Sequence, residues 1–379
     1  MKNLKLTLLT LCVLLTALIS CSNDDDQTKV VQTDNPLVSN TDKLVDDHFR
    51  PFIEYTKYIG LSVAVIDGDT TSFYNYGDTY KGNNTLPTEN STYEIGSNTK
   101  TFSAAVLTKL MLENGISEDT PISELLPEEI DPLNYQGNEI KVKHLLNHTS
   151  GLPRIALDMD SYDDFNINDP YAHYGFDKLI NFLNHYELTR MPGTEYEYSN
   201  LGYALLNVIV LNQTEQPLAY HIEEFTNLLN MDNTFMTNNY PIGDNSTGGY
   251  DNNGNEGNIY TWGIWDAVGG LSSNLIDLEK YVKIHFRSYD DNSEVKQIVE
   301  IITTETFNNG VFGVGRAWHI VTPNNHLILN HTGGTGGYTS VILIEPTSEK
   351  AIVVLSNNAF IGDILQEKSI DFFDTFLNN

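Results

Sequence analysis

A chain of 379 residues with 40% hydrophobic side chains has enough apolar material for a large core, as one big domain or two lobes. Its 51 acidic and 21 basic residues give a formal net charge of -30. That balance argues against nucleic acid as a partner, because phosphate binding needs clustered Lys and Arg, and it favours solubility.

Residues 1–20 begin with Lys2 and Lys5, continue through an apolar stretch from Leu6 to Ile19 and end in small residues, the pattern of a targeting segment. Leu18-Ile19-Ser20-Cys21 resembles the bacterial lipobox, which implies cleavage after Ser20, lipid on Cys21 and a membrane-anchored protein of the cell envelope. The apolar stretch is short for a membrane span. The other cysteine, Cys12, lies in the segment expected to be removed, so no thiol remains for a disulfide or a metal. Residues 21–40 are polar, aperiodic and acidic at Asp24-Asp25-Asp26, which predicts a tether and a folded domain over 41–379.

Thr41 to Tyr58 has apolar residues at helical spacing, and LSVAVID with TTSFYNYG predicts a hairpin turning at Gly68-Asp69. The segment EIGSNTKTFSAAVLTKLMLENG follows, with Ser97 at the start of a predicted helix and Gly115 as its stop. Lys100, three residues on, shares a helical face with Ser97. A partly desolvated lysine of lowered pKa can accept the serine proton, and the helix N-terminus favours a developing oxyanion. Alone, the motif fits an N-capping serine beside a surface lysine better than a catalytic pair.

The middle of the chain predicts short helices and loops, and in 158–181 and 237–266 Tyr162, Phe165, Tyr171, Tyr174, Tyr240, Tyr250, Tyr260, Trp262 and Trp265 either line an acyl pocket or pack the lobe. His144 and His148 have zinc-helix spacing, but Leu145 stands where the general-base glutamate would be. In PGTEYEYSNLGYALLNVIV, Tyr198 and Asn200 precede an apolar helix and can enter one cleft. There a phenol can shuttle protons and an amide can bind a carbonyl or the lysine. From Phe312 four strands are predicted, FGVGRAWHIV, HLILNH, YTSVILIEP and KAIVVLSN, and then a helix from Asp363 to Leu377. His331-Thr332-Gly333-Gly334 ends the second of these strands. Its glycines admit a substrate backbone, and the Gly334 N–H can form an oxyanion hole with the Ser97 N–H. The two ends of the chain therefore predict an α+β fold, with an antiparallel sheet and terminal helices (about 41–100 and 270–379) around a mainly helical lobe (about 101–269).

Ser-x-x-Lys, Tyr-Ser-Asn and His-Thr-Gly, in that order, resemble the penicillin-recognising serine hydrolases, in the branch of class C β-lactamases, DD-carboxypeptidases, D-amino-acid peptidases and esterases. IKVKHLLNHTSGLP and AVGGLSSNLIDLEKY match as well, so the resemblance runs from about Thr41 to the C-terminus. It implies a β-lactamase/transpeptidase-like fold, Ser97 as acylated nucleophile, Lys100 as its base and Tyr198 as proton shuttle. Asn200 would orient substrate, with His331, Thr332 and Gly333 lining the cleft. No metal or cofactor is needed, and the partner is a small peptide, amide or ester. Histidine replaces the lysine of many β-lactamases at position 331, so the charge for a substrate carboxylate is supplied only in part. Arg316 is a further candidate for that carboxylate. The resemblance thus favours a D-peptidase over a β-lactamase, with a non-hydrolysing penicillin-binding sensor as the non-enzymatic alternative.

Overall fold

The computed structural model describes residues 31–56, 60–237, 243, 245–251, 253–359 and 362–378. The targeting segment and Cys21 lie outside the described residues. Among those described, no helix is long and apolar enough to cross a membrane.

Helix α1 (Asn40–Thr56) leads into β1 (Leu61–Asp67) and β2 (Thr70–Tyr76), which pair around the Gly68 turn. After β3 (Tyr93–Glu94) comes α2 (Thr99–Asn114), then β4 (Asn134–Tyr135), β5 (Asn138–Glu139), α3 (Val142–Leu146) and α4 (Phe176–His185). Next are α5 (Asn200–Thr214), α6 (Leu218–Leu228), β6 (Phe235–Met236), α7 (Asp266–Gly269), β7 (Leu271–Ser273), α8 (Leu275–Lys283) and α9 (Ser293–Thr303). Strands β8 (Phe307–Asn308), β9 (Gly313–Val314), β10 (His319–Val321), β11 (Ile328–Gly334), β12 (Thr339–Glu345) and β13 (Lys350–Ser356) precede α10 (Gly362–Leu377).

One antiparallel sheet joins the two ends of the chain in the order β2-β1-β13-β12-β11-β10-β9-β8. Every residue of β12 is buried, because apolar layers cover the sheet on both faces. On one face Phe49 of α1 packs with Phe372 and Phe376 of α10. On the other, the sheet shares a core with α2, α5 and α8. Helix α5 is apolar around its whole circumference over 200–210 and is buried accordingly.

Two sequence expectations are corrected. Packing begins before Thr41: Asp34 accepts from the Asn75 backbone and side chain at 2.7 Å each, and buried Asn35 donates to the Tyr76 hydroxyl at 2.8 Å. Residues 32–35 thus cover the outer edge of β2, where an unpaired strand would expose its backbone. The predicted strand FGVGRAWHIV is broken into β9 and β10, because Ala317 takes a positive φ of 66° and Gly315 closes a turn onto Trp318. The break seats Trp318 in the core with no exposed surface.

Candidate active site

Ser97 occupies a single helical turn, Gly96–Asn98, immediately before α2. Two anchors hold that turn. Asn98 Nδ2 donates to Ser340 Oγ at 2.6 Å and Ser340 Oγ donates to the Ile95 carbonyl at 2.7 Å, which pins the turn to β12. Behind it, Ser103 Oγ donates to the Ala267 carbonyl and the Leu271 N–H donates to Thr99 Oγ1, docking α2 on the segment around α7.

Lys100 has no exposed surface, and its Nζ lies 3.1 Å from Ser97 Oγ and 2.7 Å from the Val268 carbonyl. Burial, reinforced by the nearby Arg154 charge, holds its pKa well below the usual lysine value. Among the described residues no carboxylate is bonded to it to oppose that depression. Tyr198 precedes the N-cap of α5, where Ser199 Oγ accepts from the Gly202 N–H. Its hydroxyl shares a hydrogen bond with Ser97, and its ring centroid lies 5.0 Å from Lys100 Nζ. Burial pushes the Tyr198 phenol up to about 12, so it stays protonated at neutral pH.

Gly334 closes the oxyanion side. Thr335 N donates to the Tyr338 carbonyl, making that pair hydrogen-bonded, so the next pair, Gly334 and Thr339, is of the non-hydrogen-bonded kind. The Gly334 N–H therefore points away from β12. Strand β10 pairs with β11 only over Ile328 to Asn330, which leaves the edge at Gly334 open. Gly96, at φ 49°, lies so close that an added β-carbon would meet Gly334 N at 2.6 Å. The Ser97 turn and the Gly334 strand end thus converge on one cleft.

That cleft, of about 370 Å³, is lined by Ser97, Tyr198, Thr332, Gly333 and Gly334 among others. His331 also lines it, but the expectation of partial charge there is overturned. His331 is 2% exposed, and burial first, then His319 and Lys100, hold its pKa well below the histidine value, leaving it neutral. Its Nδ1 donates to the Thr332 carbonyl at 2.9 Å, so bare Nε2, buried without a partner, is an acceptor. Asn200 is bonded through Nδ2 to the Tyr171 hydroxyl at 3.2 Å rather than to Lys100, and its Oδ1 is buried without a partner.

Arg316 is corrected too. It is buried away from the cleft, 2.5 Å from Glu118, and it donates to the Ile301 and Thr304 carbonyls, so it braces the β9–β10 break and has no capacity for substrate. Arg154 is a further cation of the cleft, which sequence reasoning missed although it directly follows HTSGLP. Its guanidinium is 5.0 Å from the Tyr198 ring centroid and has no carboxylate partner among the described residues. His319, also missed, lies in the cleft wall and contacts the Tyr196 hydroxyl at 2.7 Å.

The two histidines with zinc spacing have other work. His144 Nδ1 accepts from the Lys141 N–H, and His148 accepts from the Ser199 N–H and packs against the Tyr198 ring at a tilt, with centroids 4.3 Å apart. Of the loop aromatics, Tyr171 stacks on Trp262 at 5.0 Å and contacts Trp265 and Tyr260, so these rings chiefly pack the lobe.

Residues 45–364 match the family described as Beta-lactamase, well over half of the sequence. The chain belongs to the beta-lactamase family. Among curated relatives, Protein flp of Staphylococcus aureus (strain MRSA252) is 28% identical over 291 residues, covering 75% of this chain and 56% of that protein. The chain therefore spans little more than half the length of that relative. D-alanyl-D-alanine-carboxypeptidase/endopeptidase AmpH of Escherichia coli (strain K12) is 25% identical over 319 residues, covering 79% of this chain and 80% of that one. The structure of a beta-lactamase/D-alanine carboxypeptidase from Pseudomonas syringae superposes with a TM-score of 0.74 at 20% identity, over 85% of this chain and 95% of that one. The beta-lactamase/transpeptidase-like fold is thereby shown, and with it membership of a serine hydrolase superfamily.

Proposed function

We propose that this beta-lactamase-family chain is a serine acyl hydrolase acting on a D-amino-acid peptide, or a related amide or ester, whose leaving side ends in a carboxylate. The observation that carries the reading is a fully buried lysine of depressed pKa, 3.1 Å from a serine hydroxyl at a helix N-terminus. Neutral Lys100 takes the Ser97 proton as Oγ bonds to the substrate carbonyl carbon. The carbonyl oxygen becomes an oxyanion facing the Ser97 and Gly334 N–H groups. Tyr198 gives its proton to the departing nitrogen or oxygen and regains one from Lys100. Water then attacks the acyl-enzyme, its proton passing to Lys100 and on to Ser97 Oγ as the Oγ–acyl bond breaks and the acid leaves.

Neutral His331 cannot hold a carboxylate by charge, whereas Arg154, against Tyr198 and without a carboxylate partner among the described residues, can do so on the leaving side. Mass spectrometry of the chain mixed with a D-Ala-D-Ala peptide should show an acyl-enzyme that forms and decays. Arg154→Gln should raise KM for that peptide about ten- to a hundredfold and leave its C-terminal amide nearly unaffected, since a hydrogen bond to a charged group is worth roughly 1.5–3 kcal/mol. Equal effects on acid and amide would remove Arg154 from recognition. Faster turnover of a cephalosporin than of any peptide or ester would reassign the protein to β-lactam hydrolysis.

The site would work at the cell envelope, tethered through lipid on Cys21. That reading rests on the Leu-Ile-Ser-Cys sequence after an apolar segment. Labelled palmitate should enter the protein in a bacterial host and fail to enter Cys21→Ser, with the variant released from the membrane fraction.

A further inference from the structure

A second cavity, of about 240 Å³, lies beside the turn that follows Gly334, and its lining includes Glu94, Glu256, Tyr80, Tyr250 and Tyr338. None of the residues that line the Ser97 cleft borders it. Glu94 is the anomaly there. It is 5% exposed, its Oε2 is buried without a hydrogen-bond partner among the described residues, and Thr335 supports its side chain. An unsatisfied buried carboxyl oxygen is costly, and the mechanism above gives Glu94 no task.

The walls restrict what could satisfy it. Two tyrosine hydroxyls are already engaged: Tyr338 donates to the Thr247 carbonyl at 2.6 Å, and the Tyr250 oxygen accepts from the Lys81 N–H at 2.7 Å. The Tyr338 hydroxyl is thereby spent as a donor, while both rings offer aromatic surface to the cavity and the Tyr250 O–H remains a neutral donor. Among the described residues no Lys or Arg lines the cavity, whereas a second carboxylate, Glu256, does. An anion would meet two acids and no cation. An alkylammonium meets a carboxyl oxygen for its N–H groups and aromatic surface for its chain. The space suits several heavy atoms rather than one water.

We propose that this cavity binds a small primary alkylammonium, with Glu94 as its counter-ion. Glu94 is three residues before Ser97, and its partner Thr335 is adjacent to Gly334, so the ligand would sit behind both halves of the oxyanion site. Burial raises the Glu94 pKa to about 7, so binding expels the Glu94 proton in mildly acidic solution. The groups around Glu94 are Thr335 and Tyr338 of the β11–β12 hairpin, Tyr250, Glu256 and Tyr260 of the covering loop, Tyr80, Thr92, and Ser272 of β7. Glu256 is the one further carboxylate among them, and it is exposed.

Calorimetric titration of the full chain with n-butylammonium tests the assignment, with 1-butanol as the neutral isostere. Saturable ammonium binding is expected at least tenfold tighter than butanol. It should weaken at least tenfold in Glu94→Gln and remain unchanged in Ser97→Ala. Titrations below pH 7 in buffers of different ionisation enthalpy should report release of close to one proton in wild type, a readout that holds even if Glu94→Gln fails to fold. Equal binding of amine and alcohol, no saturable binding, no proton release, or full binding by folded Glu94→Gln would overturn the proposal. Loss of binding in Ser97→Ala would place the amine in the catalytic cleft and overturn it equally.

Discussion

Lys100→Met is expected to lower the rate of Ser97 acylation about a thousandfold or more, to the level of Ser97→Ala, while the fold melts no earlier than wild type. Both halves follow from burial. The lysine is enclosed with no carboxylate bonded to it among the described residues, so burial holds its pKa well below the usual lysine value and makes the neutral, basic form easier to reach, and methionine fills the same volume without desolvating an amine. Labelling by a fluorophosphonate probe, read against thermal unfolding of each variant, separates lost chemistry from lost structure. The pH profile carries the sign. A base must be deprotonated to work, so wild-type kcat/KM rises with pH through the Lys100 pKa, at a value well below 10.5. Tyr198, held up to about 12, stays a proton donor across that range and imposes no loss at mildly alkaline pH. An ascending limb only near the ordinary lysine value would mean that Lys100 is charged at rest, and a different base would then be required.

Local spacing explains which parts of this site were legible in the sequence. Ser97 and Lys100 are one helical turn apart, and a three-residue offset on a helix already implies contact. The glycines at 333 and 334 announced a close backbone approach, and the two ends of the chain announced one antiparallel sheet. What stayed hidden depends on partners remote in sequence. Arg316 looked free until Glu118, 198 residues earlier, was found against it. His331 looked titratable, and its neutrality comes from enclosure near His319 and Lys100. Arg154 carries no local signature at all, since its significance lies in having no carboxylate partner among the described residues and in its place beside the Tyr198 ring. The first packed residues, 32–35, read as tether because their partners on β2 are some forty residues away.

The adjacent glycines of β11 should respond in opposite ways to one methyl group. A β-carbon at Gly333 would overlap the Ile95 carbonyl oxygen and meet Ser340 Oγ at 2.7 Å. The obstacle is backbone on one side and a hydroxyl committed to both Ile95 and Asn98 on the other, so neither can swing aside. Gly333→Ala must therefore push β11 away from the Ser97 turn and separate the Gly334 N–H from the Ser97 N–H. Loss of one aligned donor is worth about 10²–10³ in rate, and overpacking costs about 1–3 kcal/mol of stability. At Gly334 the nearest atom to an added β-carbon is the Tyr338 carbonyl oxygen, 3.9 Å away, and the glycine needs no left-handed backbone. Gly334→Ala should then keep the fold and most of the acylation rate. Acylation kinetics and thermal unfolding of the two variants make the comparison. Similar behaviour would mean that the strand end tolerates displacement, and that the oxyanion is held by groups other than this pair of N–H donors.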